Sequence, residues 1–170
     1  MDPEAINLLA ANIRKTIKKW VGIPVSVGIG PTKTLAKIAN HLAKKNPAYA
    51  NVANLCSIEN TDDVLKQIPV SEVWGIGQAY SDILTKKGMQ TVLDFKNADE
   101  HWVRRQMHVV GHKTLLELRG ISCIPLESMM PDKKNICISR SFGPPLQQYE
   151  DLEQAITTFA ARAAEKLRQQ

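Results

Sequence analysis

VWGIGQAYSDILTKKG, residues 73 to 88, sets two of the chain's nine glycines around one isoleucine, directly ahead of a segment with helical spacing. The form hydrophobic–Gly–hydrophobic–Gly, here Trp74-Gly75-Ile76-Gly77, is the signature of a helix–hairpin–helix turn. Ile76 plugs such a turn into a core, while the glycines let the backbone take a φ that side chains resist. The spacing predicts a helix over 78–87, stopped by Gly88. Two readings of the glycines stand. They serve a tight turn and nothing more, or their amides, with Gln78 at the positive end of the helix, meet an anion. A phosphate held this way is held independently of base sequence, because no side chain reads a base.

Around this stretch, from Pro69 to about Gly120, short helical segments alternate with glycine turns and no strand pattern intervenes. This predicts a small all-helical domain. VVGHKTLLELRGIS repeats the order of glycine turn, helix and glycine stop, with Gly111 where the first copy has Gly77. The second turn, Val109-Val110-Gly111-His112-Lys113, keeps one glycine. It reads either as a weaker phosphate site assisted by Lys113 or as a packing partner of the first. His108 and His112 have the spacing of a helical metal pair, but Gly111 is expected to break the helix between them, so no zinc is expected.

Upstream the pattern is α/β. Asp2-Pro3 opens a helix with a capping carboxylate and a proline at its first position, and Gly22 ends it. Ile6, Leu9, Ile13, Ile17 and Trp20 form its apolar stripe. Residues 23–29 read as a buried strand, 32–45 as a second helix, 52–57 as another strand and 61–67 as a short helix. SVGIGPTKT (26–34) fails the phosphate-loop pattern, since Pro31-Thr32 separate Gly30 from Lys33. The helix after it carries Lys33, Lys37 and Lys44 on one face. That face is either a solvated stripe or a set of phosphate contacts.

Downstream, Pro125, Pro131 and Asp132-Lys133-Lys134-Asn135 read as a linker. Residues 136–142 alternate like a strand, Pro144-Pro145 break it, and Asp151 with Gln154 predicts a capping box opening a last helix. One strand and one helix cannot bury both of their faces, so the chain is expected to stop inside a third domain.

The totals set bounds. The chain has 170 residues, 44% of them apolar, and a net charge of +5. Packed cores are expected, and a polyanion partner is compatible with the charge. Cys56, Cys123 and Cys137 lack metal-ligand spacing and are odd in number, so they read as reduced thiols of a cytosolic protein. No run approaches a membrane span, and no signal peptide pattern opens the chain. The acidic pairs Asp62-Asp63, Asp99-Glu100 and Glu150-Asp151 lie at helix starts or in loops and read as caps, so no catalytic centre is predicted.

Taken in order, SVGIGPTKTLAKIANHLAKK, VWGIGQAYSDILTKKGMQTVLDF, LRGISCIPLE and ISRSFG resemble the Y-family translesion DNA polymerases, over nearly the whole chain. The Trp74 hairpin, LRG (118–120), SRSFG (139–143) and AARAAEKLR (160–168) are most similar to the UmuC-type branch. The resemblance implies an α+β fold in three parts: the end of an α/β palm (1–68), a helix–hairpin–helix thumb (69–130) and the start of a little-finger domain (131–170). It implies that Lys44, with Lys37 and Lys33 on its face, contacts an incoming triphosphate, although Lys45 stands where many members have proline. It implies that Gly75, Ile76, Gly77 and Gln78, with Gly111 and Lys113 in the second turn, grip a duplex backbone. Arg140 and Ser141 match a strand that lies along DNA phosphates. The whole protein would perform error-prone synthesis past damage in the bacterial cytoplasm during the SOS response, using Mg²⁺ on primer-template DNA. An accessory protein dimer and a recombinase filament would be its partners, and no membrane.

One departure limits the expectation. The family's metal-binding carboxylates precede the helix that begins here at Pro3, so Met1 is expected to be a start on a fragment that binds no metal and does not polymerise. The alternative is a stand-alone helix–hairpin–helix DNA-binding or scaffold module. A base-excision glycosylase would need an acid such as Asp94 in a catalytic role and a lysine beside the hairpin, where Gln78 and Ala79 stand.

Overall fold

The computed structural model describes residues 2–126 and 135–169, in two compact units, Met1–Pro125 and Leu126–Gln170. Of the linker expected from Pro125 to Asn135, residues 127–134 lie outside the described residues.

In the first unit, α1 (Pro3–Val21) begins where expected. The Asp2 carboxylate accepts the Glu4 N–H at 3.2 Å, and Gly22 closes the helix in the left-handed conformation at φ 74°. Its apolar stripe is not a core: only Ala10 is buried, and Trp20 is 80% exposed. The sheet beside it is two strands wide, too narrow to cover nineteen residues of helix. These strands are β1 (Val27–Ile29) and β2 (Val52–Asn54), parallel, with Val27 opposite Val52. Both are shorter than the apolar runs predicted, since pairing rather than composition sets their length.

Between the strands runs α2 (Lys33–Lys45), its first turn capped by the Thr32 hydroxyl, which accepts the Leu35 N–H at 3.2 Å. α2 lies so close on β1 that side chains cannot fit between them. A Cβ on Gly28 would land on the Asn40 amide nitrogen and the Ala36 carbonyl oxygen, and one on Gly30 would come 2.6 Å from the Ala36 nitrogen. These glycines serve close packing.

α3 (Thr61–Leu65), α4 (Gln78–Lys86), α5 (Val92–Lys96) and α6 (Glu100–Leu118) follow, with an isolated bridge between Pro69 and Thr91. Thr91 and Asp94 cap α5 reciprocally. One apolar cluster runs from Leu35, Ile38 and Ala39 of α2 through Leu65, Val70, Val73, Leu84 and Phe95 to Val103, Leu115 and Leu118 of α6.

One expectation changes in α6. Gly111 does not break the helix; the interruption is at His108, at φ 55° and ψ −157°. Gly111 is buried, and a Cβ there would strike that of Met107, which the kink brings over it.

In the second unit, α7 (Tyr149–Arg168) buries none of its residues. It starts earlier than the predicted capping box, with Gln148 at its N-cap and no side-chain cap bond; Asp151 instead lies in the first turn, where its charge suits the helix dipole. Residues 136–142 form no strand, because no paired backbone lies beside them among the described residues. Phe142 packs on Phe159, centroids 6.4 Å apart.

Candidate nucleic-acid interface

The hairpin turn is built from Val73 outward. Val73 and Ile76 are buried, and the Ile76 N–H donates to the Val73 carbonyl at 3.0 Å. Gly75 between them stands at φ 91°, a conformation costing about 1–2 kcal/mol with a side chain. Gly77 is different. Its φ of −83° suits any residue, and a Cβ there would meet nothing within 4 Å. Gly77 is the N-cap of α4 and offers no side-chain cap bond, so the first turn of α4 is uncapped beside the exposed Gly75, Gly77 and Gln78. The Gln78 side chain turns along its own helix to Asp82 Oδ1, 2.8 Å away.

α2 treats its N-terminus in the opposite way. Glu117, fully buried on α6, accepts the Thr34 N–H on Oε2 at 3.0 Å and the Cys123 and Ile124 N–H groups on Oε1 at 2.7 and 3.1 Å. The Thr32 hydroxyl donates to the Glu117 carbonyl at 2.8 Å. Burial alone would raise this carboxyl's pKa. The backbone donors from Thr34, Cys123 and Ile124 outweigh it and hold the pKa below the usual glutamate range. The anion slot after SVGIGPTKT is thus filled by the chain's own carboxylate. Nothing in the local sequence around Pro31 announces it, but Glu117 follows Gly111 and Thr114 at three-residue steps onto the buried stripe of α6.

The three lysines divide. Lys33 and Lys37 line a cleft of about 350 Å³ together with Gly28, Ala36, Asn40 and Trp74; Lys44, exposed farther along α2, does not line it. The Lys33 ammonium donates to the Pro125 carbonyl at 2.6 Å, and that of Lys37 sits over the Trp74 ring, 5.7 Å from its centroid. Among the described residues none of the three has a carboxylate within ion-pair distance. On α6, Lys113 is exposed and, with Trp74, Gly75, Val110, Thr114 and Ile124, lines a smaller, apolar cavity of about 170 Å³. In the second unit, Arg140 and Ser141 are exposed, and Arg140 lines an open groove with Phe142 and Phe159.

The acids are committed to structure. Asp99 caps α6 by accepting the Trp102 N–H at 2.7 Å, and Asp62 pairs with Lys96. Glu100 accepts from His112 at 2.6 Å and pairs with Arg119, which hold its carboxyl below the ordinary value, His112 foremost. Arg119 of the LRG stretch also donates to the Lys96 and Ala98 carbonyls at 2.9 and 2.7 Å, tying the end of α6 to α5. No group of three or more His, Cys, Asp or Glu among the described residues could hold a metal ion, so the residues present do not fit the Mg²⁺ that the family resemblance implies. No described helix is long and apolar enough to cross a membrane.

The impB/mucB/samB family model matches residues 3–41, and the model of that family's C-terminal domain matches residues 133–170. UmuC of Salmonella typhimurium is 44% identical over 157 residues, covering 92% of this chain and 37% of its own length. MucB of Escherichia coli is 40% identical over 164 residues, covering 96% of this chain and 39% of its own. The chain therefore spans less than half the length of these relatives. Among solved structures, the insertion ternary complex of Dbh DNA polymerase is similar at a TM-score of 0.57 and 26% identity, over 74% of this chain and 36% of that one. Two family segments in order at either end, joined by a stretch that the same relatives match almost throughout, show that the chain belongs to the impB/mucB/samB family, the UmuC-like branch of the Y-family polymerases.

Proposed function

We propose that this chain is the DNA-gripping part of an error-prone, DNA-directed polymerase that copies damaged templates in bacterial DNA repair. Residues 1–68 would be the end of the palm, 69–130 the helix–hairpin–helix thumb and 131–170 the start of the little finger. The observation that carries the reading is the uncapped N-terminus of α4 beside the exposed Gly75 and Gly77, with open space at Gly77. A backbone phosphate can approach Gly77 without meeting a side chain, and the amides and helix dipole favour its charge. Gln78 flanks this grip. Lys113, exposed on α6 beside the buried Gly111, and Arg140 and Ser141, exposed ahead of α7, would add phosphate contacts.

Lys33 and Lys37 would act together at the cleft and Lys44 separately, on the incoming triphosphate. The acids described above are committed to caps and ion pairs, so the 170 residues alone would bind primer-template DNA and not extend it; Mg²⁺ would be held elsewhere in the whole protein. The cytoplasm is the setting expected for such an enzyme. The accessory protein dimer and the recombinase filament are carried over from the family resemblance. Similarity to these relatives along almost the whole chain favours this reading over the alternative, a stand-alone helix–hairpin–helix DNA-binding or scaffold module without polymerase activity.

The test is fluorescence anisotropy of labelled primer-template duplexes of two unrelated sequences across a salt series. Affinity should fall steeply and log-linearly with salt and match between the sequences. No binding at low salt, or a strong preference for one sequence, would contradict the reading.

A further inference from the structure

Trp74 is the one residue of the hairpin signature whose side chain the turn does not use. Its neighbours Val73 and Ile76 are buried at 2% and 6% exposure, whereas Trp74 is 50% exposed. A large apolar ring left in water between two anchored residues is held in a fixed place without serving the core. What it touches is Lys37 of α2, whose ammonium lies 5.7 Å from the ring centroid, within cation–π range. The pair spans the gap between α2 and the hairpin, and both residues line the same cleft with Lys33 and Asn40. A lysine stem has four rotatable bonds, and an unrestrained ammonium would sample a wide shell of solvent. Lys33, one turn earlier, has its ammonium fixed by the Pro125 carbonyl at 2.6 Å. The two cations of the cleft are thus each held by an uncharged partner, which fixes position without neutralising charge.

We infer that Trp74 is a positioning residue, holding the Lys37 ammonium at the cleft mouth so that it and Lys33 meet a backbone phosphate of the nucleic-acid strand gripped by the adjacent hairpin, in place of the triphosphate contact that the family resemblance gives these two lysines. This rests on the DNA-binding reading above, and it adds that the hairpin and the lysine face form one strand-binding surface, joined through the indole. The indole acts on DNA through Lys37, so its removal should matter only while Lys37 is present.

A double-mutant cycle tests this with the 170-residue protein and a labelled duplex, thermal unfolding serving as the fold control. Lys37→Gln should weaken binding and reduce the slope of log affinity against log salt by about one phosphate contact. Trp74→Leu should weaken binding by about two- to five-fold with the same loss of slope, as expected for an exposed cation–π pair. Trp74→Phe should restore most of the loss. The double variant Trp74→Leu/Lys37→Gln should bind no worse than Lys37→Gln alone. Additive losses, or a Trp74→Leu variant that binds normally while Lys37→Gln does not, would overturn the inference.

The free protein gives a reading that needs no DNA. The Lys37 Hε protons should resonate upfield of the other lysines through the indole ring current and move back in Trp74→Leu. No such dependence would overturn the positioning itself. The ring-current shift without duplex binding by the unaltered protein would instead overturn the DNA reading on which the role depends.

Discussion

The tripeptide Gly-Ile-Gly occurs twice, at 28–30 and at 75–77, and the two copies owe their glycines to opposite causes. At Gly28 and Gly30 the space a side chain would need is already filled by the backbone of α2. At Gly77 that space is empty, and the backbone would accept any residue. The helices that follow differ in the same sense. α2 has its first amides satisfied inside the protein by Thr32 and Glu117, whereas α4 has no side-chain cap. A glycine motif ahead of a helix is therefore no sign of an anion site by itself. What distinguishes the two is whether the protein has already supplied the anion.

The comparison can be broken at its strongest point first. Gly28→Ala forces a methyl into the backbone of Asn40 and Ala36, which neither can leave without parting α2 from β1. It should cost about 3 kcal/mol or more, beyond ordinary overpacking. Chemical denaturation would show it, and a variant as stable as the parent would mean that α2 and β1 are not in close contact.

Glu117→Gln comes next. It removes the charge while leaving the shape, sets an amide NH₂ against backbone donors, and should cost about 2–3 kcal/mol, the scale of hydrogen bonds to a charged group. The same residue predicts a pH dependence. Its folded pKa lies below its unfolded value, so its contribution is complete above the ordinary glutamate value near 4.5 and is lost as pH falls through the lower, folded value. Stability measured downward from pH 6 should decline below about that point, and less steeply in Glu117→Gln. Identical acid profiles for parent and variant would show that Glu117 does not cap α2.

Much of the scaffold was legible from local signals. Asp2-Pro3 and Gly22 delimit α1, Thr32 starts α2, and Ile76 enters the core, because caps and turn anchors act within a few residues. The rest depends on partners far along the chain. Glu117 meets Thr34 across 83 residues, and its sequence context of leucines offers only a charge on an apolar stripe. His108 takes the left-handed turn of α6, which its sequence assigned to Gly111; glycine was read as permissive when it was needed for closeness to Met107. The strands at 23–29 and 52–57 were over-read because apolar runs mark burial, while pairing ends after three residues. Among the candidate residues, the helical face predicted for Lys33, Lys37 and Lys44 keeps only the first two in one cleft, and the indole that meets them comes from the hairpin, outside any helical periodicity.

The smallest effect on stability belongs to Gly77, and it tests the central claim most directly. Gly77→Val adds a side chain where the protein has nothing for its Cβ to strike, so stability should fall by no more than about 1 kcal/mol, the scale of a poorer N-cap residue. Duplex affinity, measured by anisotropy at low salt, should nevertheless fall by about tenfold or more, because the added isopropyl group would stand where a phosphate must approach the α4 amides. A folded variant with the parent's affinity would contradict the account, and the second Gly-Ile-Gly would then be a turn and nothing more.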